Sequence, residues 1–347
     1  MAGPPRRRGR GLSRRAAGAA GAALALLLAG CGADPAPRAG PDGDGRGAPT
    51  ALPPVFYVDP ANPAGAQADR WAAQGRTADA EALRAIAGRP SAKWLTGTPA
   101  VRAEVDAFLT AAAVAGQTPV LVVQNVPGRD CARQGAGGAE NAADYQRWIR
   151  DLAAGVAGRP VTVILEPGAV PDAVAGCVAD VAGRLGLLRD AVSVLASTGS
   201  TRVYLDAGHP GWITDVDRLA ATLRRAGIAD TAGFALNVAN FVGTEESVRY
   251  GHRLSDALGG ATRFVVDTSR NGNGPHPGRT VDAAPSWCNP PGRALGEEPA
   301  ADPGPDRVDA LLWVKYPGES DGACRPGEPA SGTWWPEYAL DLARRAR

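Results

Sequence analysis

Short apolar segments alternate with longer segments of helical spacing over most of the chain beyond residue 52. The apolar segments are rich in Val, Ile, Leu and Phe and end at polar residues, a pattern that is typical of buried strands. Most of them are followed by apolar residues spaced three and four positions apart, which predicts a helix. The predicted strands cover residues 55–58, 92–95, 119–124, 161–166, 203–206, 233–238, 263–267 and 311–315.

The clearest predicted helices cover residues 144–156, 173–188, 215–226 and 245–258. Alternation of strands and helices favours a parallel sheet, because each helix returns the chain to the edge at which the next strand begins. About seven or eight such units predict a closed or nearly closed α/β barrel. We therefore assign residues 53–347 to one barrel domain.

Polar side chains come directly after nearly every predicted strand. In a parallel barrel the carboxyl ends of all strands face the same mouth, and barrel enzymes carry their active sites there. One acidic residue after a strand is ordinary capping of the next helix, but capping does not explain a whole series of charged or amide strand ends. The residues are Asn125, Asp130, Glu166, Asp206, His209, Asn237, Asn240, Asp267, Arg270, Lys315, Glu319 and Asp321.

The first 31 residues have the features of an export signal. A run of arginines precedes an apolar segment over residues 16–29, which is too short to span a bilayer comfortably. The segment ends in Leu-Ala-Gly-Cys at residues 28–31, which resembles a bacterial lipobox with Cys31 as the acylated residue. The alternative is ordinary signal cleavage near the same place, with an incidental cysteine.

Export has consequences for the rest of the chain. We expect a lipoprotein at the outer face of the membrane, or a secreted protein if Cys31 is not lipidated. Residues 32–52 are rich in Gly, Pro and Asp and have hardly any apolar content, which predicts a disordered linker. The four remaining cysteines are an even number in an exported chain, which favours two disulfides with three possible connectivities.

Composition excludes several classes of function. The net charge of +1 gives no electrostatic case for binding nucleic acid. No phosphate-binding loop, GxGxxG or HExxH motif occurs, so the sequence predicts no nucleotide or other cofactor. There is no CxxC spacing and there are only 3 histidines, so we expect no metal site.

Tryptophan is the most abundant aromatic residue, with 8 Trp against 6 Tyr and 5 Phe. An indole at the mouth of a cleft offers a flat apolar face that stacks on a sugar ring. A single tryptophan is more often a core residue, but a group of them beside many carboxylates favours sugar binding. Glycan hydrolysis needs two carboxylic acids and no cofactor. The tryptophans in loop-like contexts beyond strands are Trp212, Trp287, Trp334 and Trp335.

Several longer motifs resemble glycoside hydrolase family 6, which contains inverting β-1,4-glucanases and cellobiohydrolases. The resemblance extends over essentially all of residues 53–347. It implies a distorted α/β barrel of about seven parallel strands and a β-1,4-linked glucan or oligosaccharide as partner, and we expect a monomer. The motifs are FYVDP (56–60), PSAKWLTG (90–97), VPGRDCA (126–132), LEP (165–167), VYLDAGHPGWI (203–213), GFALNVANF (233–241), DTSRNGNG (267–274), WCNPPGRALG (287–296), LLWVKYPGESDG (311–322) and WWPEYALDLA (334–343).

The resemblance also implies roles for individual residues. Asp321 matches the proposed base, which acts on water directly or through a water chain, and Asp130 matches the second aspartate of the cleft, which supports the charge of the acid and of the sugar. The family's disulfides correspond to Cys131–Cys177 and Cys288–Cys324. The sugar-binding positions are His209, Trp212, Asn240, Trp287, Lys315 and Glu319.

Three departures from the family pattern fall at one subsite. The family's general acid is the Asp of Glu-Pro-Asp, and the residue at that position here is Gly168. The family's Tyr after the third strand is Gln124, and the Ser of its active-site loop corresponds to Ala136.

The missing acid leaves two hypotheses of function. The first is a β-1,4-glucanase of weak or altered activity, because a positioned acid typically contributes about 10²–10⁴ in rate. Asp130 is the best substitute in the sequence, since we expect Glu166 to pair inside the barrel and Asp172 to belong to the first turn of the next helix. The second is a non-catalytic β-glucan-binding protein on the same barrel.

Overall fold

The computed structural model describes residues 55–132 and 137–346. The predicted signal peptide, Cys31, the predicted linker over residues 32–52 and Ala136 lie outside these ranges. Within them, the helices are all too short or too polar to span a bilayer.

A curled, mostly parallel sheet forms the centre of the domain. Within the described residues it has eight strands in the order β1-β2-β3-β4-β5-β6-β10-β9, and only the β10–β9 pair is antiparallel. This arrangement confirms the predicted distorted barrel. The strands of this sheet are β1 (Lys93–Leu95), β2 (Val120–Val123), β3 (Val161–Leu165), β4 (Thr201–Asp206), β5 (Gly233–Leu236), β6 (Arg263–Asp267), β9 (Ala300–Ala301) and β10 (Val308–Leu312). Two further strands, β7 (Thr280–Val281) and β8 (Ala284–Pro285), pair in a separate ribbon.

Helices follow most strands and cover the outside of the sheet. Asn141 begins α4 by accepting the Asp144 N–H at 3.0 Å, and Asp215 begins α7 by accepting the Arg218 N–H at 2.9 Å. The helices are α1 (Pro63–Ala73), α2 (Thr77–Ala87), α3 (Val101–Val114), α4 (Ala142–Val156), α5 (Ala169–Ala175), α6 (Val181–Ala196), α7 (Val216–Ala226), α8 (Thr244–Ala257) and α9 (Pro336–Arg345).

The alternation of side chains along each strand separates two apolar layers. On β3, Val163 and Leu165 pack against the helices, whereas Ile164 points into the barrel and joins Val122 and Tyr204 there. Because both faces are covered, the strands are apolar at nearly every position, as expected for a buried parallel sheet. The polar residues of the cleft lie at the carboxyl ends of the strands, whereas Arg202 on β4 and Asp309 on β10 form a buried ion pair at 3.0 Å nearer the opposite ends.

Three predicted elements differ from the structure. Residues 173–188 are not one helix, because α5 ends at Gly176 with φ of +86° and α6 begins after Asp180. Residues 55–58 are not a strand, since Phe56 makes a single bridge to Thr118. The last long strand ends at Leu312 rather than at residue 315, because the N–H groups of residues 314 and 315 donate to the Asp267 carboxylate instead of to a neighbouring strand.

Candidate active site

One open cleft of about 910 Å³ lies at the carboxyl ends of the strands. It collects residues that are far apart in the chain, as the barrel topology requires. All the catalytic and sugar-binding positions that the resemblance implies line it, and so does Gly168. These residues are Asp130, His209, Trp212, Asn240, Trp287, Lys315, Glu319 and Asp321.

Gly168 lies at the turn between β3 and α5, with its backbone in the left-handed region at φ of +84°. A Cβ on this residue would lie 3.6 Å from Asp130 Oδ1, 3.7 Å from Asp172 Oδ2 and 3.8 Å from Trp212 Cη2. These are ordinary van der Waals distances, so the cleft retains room for a side chain here. That side chain would point among two carboxyl groups and an indole.

Asp130 lies on a sharply bent segment across from Gly168. It has φ of +58°, and the next residue, Cys131, has φ of +46° and forms a disulfide with Cys177. Gln124 occupies the space beside it, where its Nε2 donates to Asp130 Oδ1 at 3.4 Å and to the Pro167 carbonyl at 3.1 Å. Gln124 therefore connects the Asp130 segment to the turn that carries Gly168.

Glu166 and Asp172, the other carboxyl groups near Gly168 in sequence, do not face the cleft. Glu166 is 1% exposed and accepts the N–H groups of Asn125 at 2.9 Å and Val126 at 3.1 Å. Asp172 is fully buried in the first turn of α5. Asp172 therefore lies at the start of a helix, as predicted. The expectation that Glu166 pairs inside the barrel is wrong, because Glu166 lies between the sheet and α4, where it also interacts with Tyr145.

Asp206 is a further carboxyl group of the cleft, for which the family resemblance implies no role. It ends β4, and its Oδ2 accepts the Gly168 N–H at 2.8 Å. Burial, with a smaller contribution from the neighbouring Asp172 carboxyl, raises the pKa of Asp206 to about 7. His209 follows on the same loop, and burial lowers its pKa to about 4, so the imidazole is neutral near pH 7.

Asp321 is held by a buried cation. Arg270 has 0% side-chain exposure and contacts both carboxylate oxygens, Nη1 to Oδ2 and Nη2 to Oδ1, each at 3.0 Å. The Asn289 N–H also donates to Oδ2 at 3.0 Å. The guanidinium stacks over Phe241, 4.4 Å from the ring centroid. Asp321 is therefore a rigidly oriented carboxylate. This suits a base that acts on water through a water chain better than a base that must leave its ion pair to take the proton directly.

Lys315 and Glu319 form an ion pair at 3.4 Å within the cleft. The Lys315 N–H donates to Asp267 Oδ2 at 3.1 Å, which fixes the segment after β10. Trp94 also lines the cleft, with the Lys315 ammonium 5.5 Å from its ring, although we did not single it out as a site residue from the sequence. Its position in the short strand β1, one residue before the carboxyl end, was the available indication.

The four loop tryptophans divide into two groups. Trp212 and Trp287 line the cleft, and Trp287 is 37% exposed, so its indole is accessible to a ligand. The expectation that Trp334 and Trp335 also belong to the mouth is wrong. They pack in an apolar cluster beside α9, where their rings lie against Tyr316 and Tyr338.

The cysteines form two disulfides, Cys131–Cys177 and Cys288–Cys324, in the pairing that the resemblance implies. Two clusters in the described residues bring a carboxylate close to such a pair, Asp172 in one and Glu328 in the other. Disulfide sulfurs do not supply the thiolate ligands that a metal site would need. Neither cluster therefore offers a complete ligand set.

Residues 318–322 read GESDG and match the GxSxG pattern of serine esterases. Ser320 does not behave as a nucleophile, because it has 0% exposure and its Oγ donates to backbone carbonyls of Gly322 at 3.2 Å and Pro329 at 2.8 Å. The strand–turn–helix context of that motif is also missing around residue 320, within the part of the chain that is described. The segment instead positions Glu319 and Asp321.

An α/β barrel whose mouth is lined by carboxylates and tryptophans has the architecture of the barrel glycosidases. The chain matches the family model described as Glycosyl hydrolases family 6 over residues 54–346. The chain therefore belongs to glycosyl hydrolase family 6.

The chain is also similar to known endoglucanases, which supports the assignment to this family. Endoglucanase A of Cellulomonas fimi is 45% identical over 295 residues, which is 84% of this chain and 61% of that protein. Endoglucanase 1 of Streptomyces halstedii is 37% identical over 345 residues, covering 95% of this chain and 99% of that protein. The chain thus spans about three fifths of the length of the first relative and nearly all of the second.

A solved endoglucanase structure is similar to this chain in fold as well as in sequence. The endoglucanase Cel6 from Mycobacterium tuberculosis, in complex with methyl-cellobiosyl-4-deoxy-4-thio-β-D-cellobioside, has a TM-score of 0.78 and 38% sequence identity. The match covers 84% of this chain and 97% of that one.

The buried carboxyl groups predict how stability depends on pH. Burial raises the pKa values of Glu166 and Asp206 to about 7, and it also raises that of Asp267. Because the folded state binds these protons more tightly than the unfolded state, stability falls as pH rises towards and through 7. We expect the melting temperature at pH 8 to lie on the order of 5 °C below that at pH 5.5. In Glu166→Gln this difference should shrink, whereas a melting temperature that rises over the interval would contradict the assignment.

Proposed function

We propose that this protein hydrolyses β-1,4-linked glucans with inversion, and that proton delivery to the leaving oxygen is altered because residue 168 is glycine. The observation that carries the proposal is the cleft, where Asp130, Asp321 and the sugar-binding positions lie together around a site with room for an acid. The similarity to endoglucanases supports the same substrate class.

Inverting hydrolysis needs a base to activate water and an acid to protonate the bridging oxygen. Asp321 is oriented for the first task by Arg270. Trp212 and Trp287 offer apolar faces for sugar rings, and Lys315 and Glu319 offer charged groups for hydroxyls. A poorly placed donor slows only the step in which the leaving oxygen needs a proton.

The test compares two substrates that differ in leaving group. An aryl β-cellobioside with an acidic phenol needs no protonation, so the wild-type protein should cleave it faster than cellotetraose, by about 10²-fold in kcat/KM or more. Release of the phenol and of cellobiose is measured with the same enzyme preparation. Equal values for the two substrates would contradict altered proton delivery.

A second candidate function is non-catalytic binding of β-1,4-glucan in the same cleft. The observation that favours it is the combination of Gly168 with Gln124, because both depart from the family pattern at one subsite. Calorimetric binding of cellotetraose without hydrolysis of either substrate would support it. Phenol release from the aryl cellobioside would exclude it.

We also propose that the protein is exported and held at the outer face of the membrane by a lipid on Cys31. The Leu-Ala-Gly-Cys ending of the predicted signal peptide supports this. Cell fractionation of the full chain and of Cys31→Ala tests it. Loss of membrane association in the variant is expected, and equal partitioning of both forms would contradict the anchor.

A further inference from the structure

Asp206 lies against the backbone of Gly168, the residue that replaces the family's general acid. Its Oδ2 accepts the Gly168 N–H at 2.8 Å, and its Oδ1 accepts the Gly208 N–H at 3.2 Å. The residue is 2% exposed and is one of the residues that line the cleft. Asp206 is thus a carboxyl group of the cleft that is hydrogen-bonded to the backbone of residue 168 itself.

The surroundings of Asp206 favour its neutral form. No lysine or arginine of the described residues forms an ion pair with it. Among the described residues, the titratable groups that act on it are the Asp172 carboxyl from α5 and the Tyr250 hydroxyl from α8. The backbone N–H groups of residues 168, 207 and 208 favour its charged form, but less strongly than burial favours the neutral form. The Tyr250 hydroxyl donates to the Ile213 carbonyl at 2.8 Å and so gives Asp206 no hydrogen bond.

These surroundings favour a protonated Asp206 at a pH at which a solvent-exposed aspartate is ionised. Burial and the Asp172 charge raise the pKa of Asp206 to about 7. A general acid is most effective when its pKa lies near the working pH. The pKa is also raised for Glu166, which is directed to the backbone of residues 125 and 126, and for Asp267, which accepts the N–H groups of residues 239, 269, 314 and 315. These two residues and Asp172 do not line the cleft.

We propose that Asp206 is the catalytic proton donor of this protein, in place of the side chain that residue 168 lacks. This inference rests on the proposed function. It assigns Asp130 the supporting role that the family resemblance implies rather than the role of substitute acid.

The step balances with water alone. The Asp206 carboxyl gives its proton to the bridging oxygen, the C1–O bond breaks, and its electron pair stays on the departing oxygen. A water attacks C1 from the opposite face and loses a proton towards Asp321. Asp206 is left as a carboxylate and takes a proton back from solvent, while the proton at the Asp321 side returns to solvent.

The test is Asp206→Asn, which keeps the size of the side chain and removes its proton. On cellotetraose, kcat should fall by about 10²-fold or more, whereas kcat on the aryl cellobioside should change by less than about threefold. A merely structural role would lower both rates together. Asp130→Asn is the matched control, and it should lower the rates on both substrates by similar factors.

Each other outcome overturns the proposal in a recognisable way. If Asp130→Asn lowers the rate on cellotetraose alone and Asp206→Asn does not, Asp130 is the donor. If wild-type protein cleaves the aryl cellobioside but never cellotetraose, the protein is a hydrolase without a working donor. If neither substrate is cleaved, the proposed function itself fails.

The wild-type protein offers a measurement that does not depend on whether Asp206→Asn folds. Activity on cellotetraose should be lost as pH rises through about 7, since the donor must be protonated. Activity on the aryl cellobioside should keep its rate over the same interval. A cellotetraose profile without this alkaline limb would contradict Asp206 as donor.

Discussion

Replacing Gly168 by Asp is expected to raise kcat/KM on cellotetraose by about 10²-fold. The Cβ of the new side chain would contact Asp130 Oδ1, Asp172 Oδ2 and Trp212 at 3.6–3.8 Å, without steric overlap. Its carboxyl group would lie beside those of Asp130 and Asp172, and like charges at this distance favour a protonated acid. The aryl cellobioside should gain little, because its phenol leaves without a proton.

The backbone conformation at residue 168, rather than the fit of the side chain, makes this substitution unfavourable for stability. A φ of +84° is unfavourable for residues with a Cβ, although Asp and Asn tolerate the left-handed region better than most. We expect Gly168→Asp to lower stability by about 1–2 kcal/mol.

Gly168→Asn is the matched control for this substitution. It has the same backbone cost and the same size, but its amide is no general acid. It should leave hydrolysis of cellotetraose near the wild-type rate. If Gly168→Asn and Gly168→Asp gave the same activity on cellotetraose, the acid at residue 168 would not be what the cleft lacks.

Replacing Asp321 by Asn should have the largest effect on stability and abolish most activity. Arg270 would remain fully buried with its guanidinium facing a neutral amide in place of the carboxylate that now contacts it twice at 3.0 Å. Removing one partner of a buried ion pair typically costs about 3–5 kcal/mol. Chemical denaturation measures this loss.

The kinetic result separates Asp321 from Asp206. Activation of water is needed whatever the leaving group, so Asp321→Asn should lower the rates on cellotetraose and on the aryl cellobioside equally, by about 10²-fold or more. Asp341→Asn is the control for stability, because Asp341 pairs with Arg345 at 2.8 Å on the surface and such pairs contribute about 0–1 kcal/mol. A loss in Asp321→Asn no larger than in this control would contradict the role assigned to Arg270.

The parallel strands could be predicted from the sequence because their hydrophobic pattern is local. Val161–Leu165 is apolar at most positions and ends at Glu166-Pro167, so the strand and its end are both evident. The common location of the strand ends follows from the topology, which is why residues as distant as Asp130 and Asp321 could be placed in one cleft.

Other features depend on contacts that the sequence does not display. The division of residues 173–188 between α5 and α6 follows from the turn at Gly176, although its pattern is helical throughout. The packing of Trp334 beside Tyr316 results from how α9 lies against the domain. The hydrogen bond between Gly168 and Asp206 joins residues 38 positions apart, so the importance of Asp206 became apparent only in the folded chain.

The most direct test of altered proton delivery is the leaving-group dependence of wild-type hydrolysis. A series of aryl β-cellobiosides with phenols of graded pKa gives the slope of log kcat/KM against leaving-group pKa. We predict a clearly negative slope for the wild-type protein and a shallower one for Gly168→Asp, because an acid at residue 168 would compensate for poor leaving groups. Equal slopes in the two proteins would contradict the claim that glycine at residue 168 alters proton delivery.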